Sequence, residues 1–442
     1  MQKTVTGADG PMPDGTKPNE QKPNKQKPDG RKPGERMFLV KLGELTLKGG
    51  NREGFEKILR RNLSTMLKVR APGAGVLSRP GRLYVVCAAE QAGQVEAVLG
   101  KLAGITGWAE TRVTGKTTEE LMAACVEEGK RLAENGLCSF KVEARRSDKS
   151  FPLGSYEICC AAGDAICDAV PGLEVNVKSP GGIISVEIRE KAYVYSMGKK
   201  GLRGLPVGSA GRGLLLLSGG IDSPVAGILM AIRGMGLDAA YFHTPPYTSS
   251  EALDKTMRLA ETIGAYALGL RLYALNFTEV QKRIKERAPA EWSTVLLRMA
   301  MMDAASSIGE KTGAKCLVTG ESLSQVASQT VENLGCSESR ARLPVLRPLI
   351  GMDKEAITGL AKQFGTYETS ILPYADCCVL FSPPHPVLRG NVREAGELYG
   401  ALELGSRAEK SGPLCEALKT AGITKHGYYR AGEFTGTASP SP

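Results

Sequence analysis

Residues 214–224 read Leu-Leu-Leu-Leu-Ser-Gly-Gly-Ile-Asp-Ser-Pro. The leucines predict a buried strand, the two glycines predict a sharp turn, and the segment from Pro224 to Arg233 predicts a helix, since proline is tolerated in the first turn. A glycine-rich turn at the start of a helix directs backbone N–H groups and the positive end of the helix dipole at one point. This stretch therefore predicts an α/β fold with a loop that binds phosphate or pyrophosphate.

The side chains of this loop refine the prediction. Ser218 and Ser223 supply hydroxyl donors, and Asp222 is suited to hold a magnesium ion or to orient a nucleotide. The loop lacks the Gly-Lys-Ser/Thr ending of the Walker motif and the three spaced glycines of the dinucleotide fingerprint. It resembles instead the Ser-Gly-Gly-x-Asp-Ser signature of PP-loop pyrophosphatases, which split ATP between the α and β phosphates and adenylate a substrate. The alternative is a turn that merely joins a strand to a helix.

Composition sets the broad class. The chain has 442 residues, of which 42% are hydrophobic and 24% charged, as in a globular protein of two to four domains. No apolar run approaches the roughly 20 residues that span a bilayer, and the N-terminus has no signal-peptide core, so we expect a cytoplasmic protein without membrane contact. The 11 cysteines include no Cys-x-x-Cys pair, and the net charge of +10 permits a nucleic-acid partner.

Shifts in composition divide the chain into four parts. Residues 1–36 repeat Lys-Pro and contain almost no apolar side chain, which predicts a disordered tail. Residues 37–92 and 93–200 each predict a small α/β unit. Residues 201–442 alternate strands and helices, which predicts a doubly wound parallel sheet. Ligands of such sheets bind at the carboxyl ends of the strands, so the ends of the strands predicted at 214–217, 239–243 and 315–319 should surround the nucleotide.

Basic residues mark candidate RNA contacts. The strand that begins at Ser139 ends in a basic cluster, and a second cluster lies in the glycine-rich link to the third domain. Side chains of this type contact phosphates, although a solvated charged face is the usual meaning of such runs. The candidates are Arg145, Arg146, Lys149, Lys199 and Lys200.

Five motifs then lie in order along residues 37 to 390. They are Lys41-Leu-Gly-Glu-Leu-Thr-Leu-Lys-Gly-Gly-Asn-Arg52, the Arg145-Arg146 stretch that ends in Lys-Ser-Phe-Pro, the loop at 218–224, Gly320-Glu-Ser-Leu-Ser-Gln-Val-Ala-Ser-Gln-Thr330, and Arg347-Pro-Leu-Ile-Gly-Met-Asp-Lys354. Together they closely resemble the tRNA 4-thiouridine synthetase family, the tRNA uracil 4-sulfurtransferases. The resemblance implies an N-terminal ferredoxin-like domain (37–92), an RNA-binding THUMP domain (93–200) and a PP-loop ATPase domain (201–442).

The resemblance also implies a reaction. Members of the family use ATP, with Mg²⁺, to adenylate O4 of a uridine at position 8 of tRNA, and sulfur from a persulfide then displaces AMP. A cysteine desulfurase supplies the sulfur, and some members also serve thiazole formation in thiamine synthesis, which implies a sulfur-carrier protein as a partner. A homodimer is compatible with the sequence. Two alternatives stay open: another PP-loop enzyme that thiolates tRNA, and a non-catalytic THUMP-type RNA-binding protein.

Individual residues follow from the same resemblance. Cys377, with its neighbour Cys378, matches the catalytic cysteine of the family, and the adjacent pair Cys159 and Cys160 is expected in the core. The chain resembles the short form of the family, without a C-terminal rhodanese-like domain. The implied ATP-binding residues are Leu216, Leu217, Ser218, Gly219, Gly220, Asp222, Ser223, Tyr241, Phe242, Arg298, Gly320 and Gln329.

Overall fold

A computed structural model of the chain describes residues 34–44, 51–79, 81–374, 383–405 and 411–427. In these ranges the strands are β1 (Glu35–Leu42), β2 (Gly75–Arg79), β3 (Arg82–Ala88), β4 (Ile105–Glu110), β5 (Arg112–Thr114), β6 (Ser139–Arg146), β7 (Glu174–Val175), β8 (Gly182–Ile188), β9 (Ala192–Tyr195), β10 (Lys199–Lys200), β11 (Arg212–Leu217), β12 (Gly236–His243), β13 (Leu270–Asn276), β14 (Cys316–Val318), β15 (Val345–Leu346) and β16 (Gly422–His426). The α-helices are α1 (Arg52–Arg70), α2 (Ala92–Lys101), α3 (Thr118–Glu134), α4 (Ser155–Ala169), α5 (Asp222–Ile232), α6 (Ser250–Ala267), α7 (Thr278–Arg287), α8 (Ser293–Thr312), α9 (Val331–Glu338), α10 (Lys354–Phe364), α11 (Tyr367–Ser370), α12 (Val392–Ala401) and α13 (Pro413–Lys419).

The first domain is a ferredoxin-like fold. Its elements follow the order β1-α1-β2-β3-α2-β4, and its antiparallel strands lie in the spatial order β4-β1-β3-β2, with β10 added beside β4. Alternate residues of β1 face opposite sides, as strand geometry requires. Phe38 and Val40 pack against the helices, whereas Met37 and Leu39 pack on the other face, against the second domain.

The predicted start of this domain at residue 37 lies inside β1, which begins two residues earlier at Glu35, where it pairs with Ala88. The domain also continues beyond residue 92, because α2 and β4 complete the sheet and β4 pairs with β1 from Phe38 to Leu42. Periodicity identifies strands but does not tell which sheet a strand joins, so it misplaced the boundary. Most of the predicted tail, residues 1–33, lies outside the described residues.

The second domain has a mixed sheet with strand order β5-β9-β8-β6-β7, covered by α3 and α4. It packs against the first domain through aromatic rings and one buried ion pair. The rings of Tyr84 and Tyr193 stack with centroids 4.9 Å apart. Beside them, Arg82 Nη2 donates to Glu187 Oε1 at 2.9 Å, and the Glu187 side chain is only 4% exposed.

The third domain is a doubly wound parallel sheet, as predicted. The strand order is β15-β14-β11-β12-β13-β16, and every pair is parallel except β13 with β16. Both faces of β11 are buried: Leu214 packs with α7 and α8, whereas Leu215 and Leu217 pack with α5, α6 and α10. A continuous apolar run is what a strand covered by helices on both faces requires. Within the described ranges, no helix is long and apolar enough to cross a membrane.

Candidate active site

A cavity of about 340 Å³ opens at the carboxyl ends of β11, β12 and β14. This is the edge at which parallel α/β sheets bind ligands. Its wall also contains Met301 and Met302 from α8. Of the residues implied to bind ATP, those that line the cavity are Leu216, Leu217, Ser218, Asp222, Ser223, Tyr241, Phe242, Arg298, Gly320 and Gln329.

The loop after β11 is held by its own serines. Ser218 N donates to Ser223 Oγ at 2.9 Å, and Gly220 N donates to Ser218 Oγ at 3.3 Å. Gly219 and Gly220 form the turn and are not among the lining residues. Because α5 begins at Asp222, two residues earlier than the predicted start at Pro224, Asp222 and Ser223 belong to its first turn. The first turn of a helix presents N–H groups that suit an anion.

Gly320 allows the strand after α8 to approach this loop. A Cβ atom at Gly320 would lie 2.5 Å from Ser223 N and 2.7 Å from the carbonyl carbon of Asp222. Contacts this short do not occur between a Cβ and backbone atoms, so any larger residue would push α5 away from β14. The glycine thereby fixes the width of the cavity at its phosphate-binding end.

Two side chains hold Asp222, and the sequence analysis assigned neither of them to the site. Lys354 Nζ donates to Asp222 Oδ1 at 2.6 Å, and Gln325 Nε2 donates to Asp222 Oδ2 at 2.9 Å. Lys354 is the first residue of α10, and Gln325 lies in the loop after β14. Both belong to motifs that carried the family resemblance. The sequence therefore marked these two residues, but it did not show that they contact Asp222.

A buried carboxylate organises the cationic wall of the cavity. Glu321 Oε1 accepts from Arg298 Nη2 at 3.0 Å, and Glu321 Oε2 accepts from Arg347 Nε at 2.8 Å and from Thr319 Oγ1 at 2.9 Å. Burial lowers the pKa of Arg347, but the carboxylates of Glu321 and Glu338 outweigh it and leave that pKa raised. Arg298 Nε is buried and has no hydrogen-bond partner among the described residues.

The histidine at the end of β12 is not among the residues that line the cavity. His243 stacks on Tyr241 with ring centroids 6.0 Å apart, and burial lowers the pKa of His243. The imidazole is therefore neutral at pH 7. No group of three or more His, Cys, Asp or Glu side chains in the described ranges is arranged to hold a metal ion.

The candidate RNA contacts differ in their surroundings. Arg145 and Lys149 are exposed, whereas Arg146 Nη1 donates to the carbonyl oxygens of Phe151 and Leu153 and so fixes the loop after β6. Lys199 and Lys200 are exposed on β10.

Two further contacts locate these groups on the surface. Lys199 pairs with Glu96 at 2.9 Å. Burial lowers the pKa of Lys41; the carboxylate of Glu187 opposes this shift, and the charges of Arg82 and Arg145 add to it. Lys41 on β1 and Arg145 on β6 are therefore near enough for their charges to interact.

The four cysteines named in the sequence analysis differ in their surroundings. Cys377 and Cys378 lie outside the described residues. The expectation that Cys159 and Cys160 both belong to the core was wrong for the second: Cys159 packs against the core of the second domain, and Cys160 is exposed. Consecutive residues of a helix point about 100° apart, so an adjacent pair rarely shares one environment.

The fold and the cavity define a PP-loop protein that carries a ferredoxin-like domain and a THUMP domain. Family models agree: the model described as thiamine biosynthesis protein (ThiI) matches residues 208–404, the ThiI ferredoxin-like domain matches 37–109, and the THUMP domain matches 115–196.

Comparison with individual proteins identifies the family. The chain is 46% identical over 379 residues to a probable tRNA sulfurtransferase of Treponema pallidum (strain Nichols), which covers 85% of this chain and 94% of the relative. It is 42% identical over 361 residues to a probable tRNA sulfurtransferase of Caldanaerobacter subterraneus subsp. tengcongensis, with coverage of 82% and 94%. The crystal structure of a 4-thiouridine synthetase–RNA complex with bound ATP matches with a TM-score of 0.79 and 34% identity, over 88% of this chain and 99% of that one.

The chain therefore belongs to the tRNA sulfurtransferase family, the 4-thiouridine synthetases, as the five motifs predicted. It is a sulfurtransferase enzyme, and the alternative of a non-catalytic RNA-binding protein was wrong.

Proposed function

We propose that this enzyme binds ATP in the cavity and adenylates O4 of the uridine at position 8 of tRNA before sulfur replaces that oxygen. The observation that carries the proposal is the meeting of the Ser218–Ser223 loop, Gly320 and Arg298 around one cavity at the carboxyl edge of the sheet. A 4-thiouridine synthetase of similar fold binds ATP and RNA, which supports the same ligands here.

The cavity has an apolar part and a charged part. Leu216, Phe242 and the two methionines of α8 offer an apolar surface suited to the adenine ring. The helix N-terminus at Asp222 and the ammonium group of Lys354 offer positive potential suited to phosphates. ATP bound in this direction presents its α-phosphorus near the mouth of the loop, where the uridine must arrive.

Asp222 fits a magnesium ion that takes its other ligands from phosphates and water. Mg²⁺ in nucleotide sites is commonly held by one or two carboxylates together with substrate phosphates. The Asp222 carboxylate lies at the phosphate end of the cavity, and both of its oxygens already contact donors that an ion would displace or share. When bound, Mg²⁺ would neutralise charge on the departing pyrophosphate.

The protein groups act on charge that develops during adenylation. O4 attacks the α-phosphorus, the N3 proton of uracil is released to water, the bond to the β-phosphate oxygen breaks, and pyrophosphate leaves. Preorganised cations that face this charge stabilise the transition state, which assigns that role to Lys354 and Arg298. Arg298 keeps its orientation because Glu321 holds its guanidinium.

Sulfur then replaces the activated oxygen. We assign the persulfide to Cys377 or Cys378, loaded by a cysteine desulfurase. Its terminal sulfur attacks C4 and AMP leaves, so that C4 is joined to the cysteine through a sulfur–sulfur bond. A second thiol then attacks the cysteine sulfur, which releases the C4 sulfur as 4-thiouridine and forms a disulfide. A thiol reductant reduces this disulfide and restores both cysteines. The same persulfide would serve thiazole formation in thiamine synthesis, a role that the description of the matching family model supports.

Nucleoside mass spectrometry tests the proposal directly. Unmodified tRNA is incubated with the enzyme, ATP, magnesium, cysteine and a cysteine desulfurase, and Cys377→Ser and Cys378→Ser variants run beside the wild type. We expect 4-thiouridine and AMP in equal amounts, and loss of product with at least one serine variant. Product that forms without ATP, or with both variants fully active, would overturn the mechanism.

A further inference from the structure

The amide of Gln325 has one group bound and one group free. Gln325 Nε2 donates to Asp222 Oδ2 at 2.9 Å, whereas Gln325 Oε1 is buried and has no hydrogen-bond partner among the described residues. A carboxylate only accepts hydrogen bonds, so the contact with Asp222 fixes which end of the amide is nitrogen. Gln325 is one of the residues that line the cavity, so a ligand bound there is a candidate partner for this oxygen.

The backbone around Gln325 is held in an unusual conformation. Ser324 has a φ of 59°, which places a residue other than glycine in the left-handed region. Ser324 N donates to the carbonyl of Gln329 at 2.9 Å, and Leu323 N donates to the carbonyl of Ile350 at 3.0 Å. Strain of this kind persists where the surroundings enforce it, and it is typical of ligand sites.

The next residue offers an apolar surface. Val326 also lines the cavity, yet its side chain is 52% exposed. An exposed apolar side chain beside an unsatisfied buried amide oxygen is costly for a free protein, since the oxygen loses hydration without gaining a partner. Both features are explained by a planar ligand that contacts Val326 with its face and Gln325 with its edge.

We infer that Gln325 recognises the uracil base that is to be modified. This inference rests on the proposed function, because the base must approach the phosphate end of the cavity for O4 to reach the α-phosphorus. The Watson–Crick edge of uracil presents a donor at N3–H beside an acceptor at O4. Gln325 Oε1 accepts from N3–H, and the second Nε2 hydrogen donates to one lone pair of O4, which leaves the other for phosphorus.

The same arrangement rejects cytosine. Cytosine has an unprotonated N3 and an amino group at position 4, so it would place an acceptor against Oε1 and a donor against Nε2. Groups built to hydrogen-bond one base discriminate strongly against a base that leaves them unpaired. Gln325 therefore determines specificity for the base, whereas contacts elsewhere on the chain select the tRNA.

A cycle of enzyme and substrate changes tests the inference. Wild type and Gln325→Met are each given tRNA with uridine or with 3-deazauridine at the target position, in which C–H replaces N3–H. The measured quantity is kcat/KM for thiolated product by mass spectrometry. Gln363→Met is the control, since Gln363 is exposed on α10. Thermal unfolding and the Kd for ATP are measured for every variant.

On uridine we expect Gln325→Met to lower kcat/KM by about 10- to 100-fold, the cost of one buried unpaired group. On 3-deazauridine, whose own altered reactivity affects both enzymes alike, Gln325→Met and wild type should differ by less than about twofold. The Kd for ATP should stay within about twofold, since the amide reaches the nucleotide end of the cavity only through Asp222, which Lys354 also holds. Losses that multiply, a wild type indifferent to 3-deazauridine, or an ATP affinity that falls with the turnover would overturn the inference while the proposed function stands. A wild type that makes no 4-thiouridine at all would overturn both.

Discussion

Lys354 Nζ lies 2.6 Å from Asp222 Oδ1, although 132 positions separate the two residues in the chain. The contact joins the start of α10 to the start of α5, beside the loop that we propose binds pyrophosphate. The Lys354 side chain is 48% exposed. Solvent-exposed ion pairs contribute at most about 1 kcal/mol to stability, so this pair is better explained by charge placement than by folding.

Replacing Lys354 by methionine should therefore affect chemistry more than stability. We expect Lys354→Met to lower the rate of 4-thiouridine formation by about 100-fold at saturating ATP and tRNA, the usual effect of removing one preorganised charge stabiliser. The melting temperature and the Kd for tRNA should change little. Lys362→Met is the matched control, because Lys362 lies on the same helix but packs over the ring of Tyr367. Equal losses in both variants would contradict the role of Lys354.

Glu321 should affect stability and nucleotide binding together. Its side chain is 2% exposed and holds the guanidinium groups of both Arg298 and Arg347. Removing one partner of a buried charge cluster leaves the others uncompensated, so we expect Glu321→Gln to lower the free energy of unfolding by about 3 kcal/mol. The Kd for ATP should rise by about tenfold, since Arg298 loses a charge-assisted bond that orients it.

Glu338 provides the comparison for Glu321. It also pairs with Arg347, at 2.7 Å, but its side chain is 48% exposed. Denaturant unfolding and calorimetric titration of Glu338→Gln should show changes of less than about 1 kcal/mol and an unaltered Kd for ATP. If Glu338→Gln were as harmful as Glu321→Gln, burial would not be the reason for the importance of Glu321.

These contacts show which parts of the site can be predicted from the sequence and which cannot. The leucine run and the turn after it predicted β11, the loop and the helix α5, with its start placed two residues too late, because strand burial, glycine turns and helix formation are local properties. Gly320 was implied by the family motif, and its close approach to Ser223 gives that motif a physical reason. Lys354 and Glu321 lie in the sequence motifs, but their partners could not be predicted, because they depend on how distant helices pack at the carboxyl edge of the sheet.

Strand pairing was the other property that the sequence left open. β4 was assigned to the wrong domain because its apolar residues do not reveal that β1 is its neighbour. The short antiparallel strand β16 at the edge beside β13 was not predicted, since Gly422–His426 carries little apolar pattern. In both cases the tertiary partner, and not the local sequence, determines the element.

Acid should loosen the contact between the first two domains through Glu187. Burial raises the pKa of Glu187, but the hydrogen bonds and charges of Arg82 and Arg189 outweigh it and lower that pKa below its usual value. A lowered pKa means that the ionised carboxylate stabilises the fold above the unfolded-state pKa of about 4.3, and that this contribution is lost as the pH falls through the folded-state pKa. We therefore expect the stability difference between wild type and Glu187→Gln to be constant from pH 7 to about pH 5 and to shrink below about pH 4.

Denaturant unfolding at a series of pH values measures this difference. Glu190→Gln serves as the control, because Glu190 pairs with Arg79 at the surface with 48% of its side chain exposed. A difference for Glu187→Gln that grew on acidification, or that did not vary with pH, would contradict the assignment.

Substitutions of Arg145 and Arg146 should distinguish a residue that contacts tRNA from a residue that supports the loop after β6. Arg145 is exposed beside Lys41, whereas Arg146 Nη1 already donates to two backbone carbonyls, at 2.9 and 3.1 Å. Each phosphate contact adds about one to the slope of log affinity against log salt. We expect Arg145→Ala to weaken tRNA binding and reduce that slope by about one. Arg146→Ala should leave the slope unchanged and lower the melting temperature, because two carbonyls lose their donor. Binding titrations from 50 to 300 mM salt distinguish the two variants, and an unchanged slope for Arg145→Ala would move the RNA contact to another part of the surface.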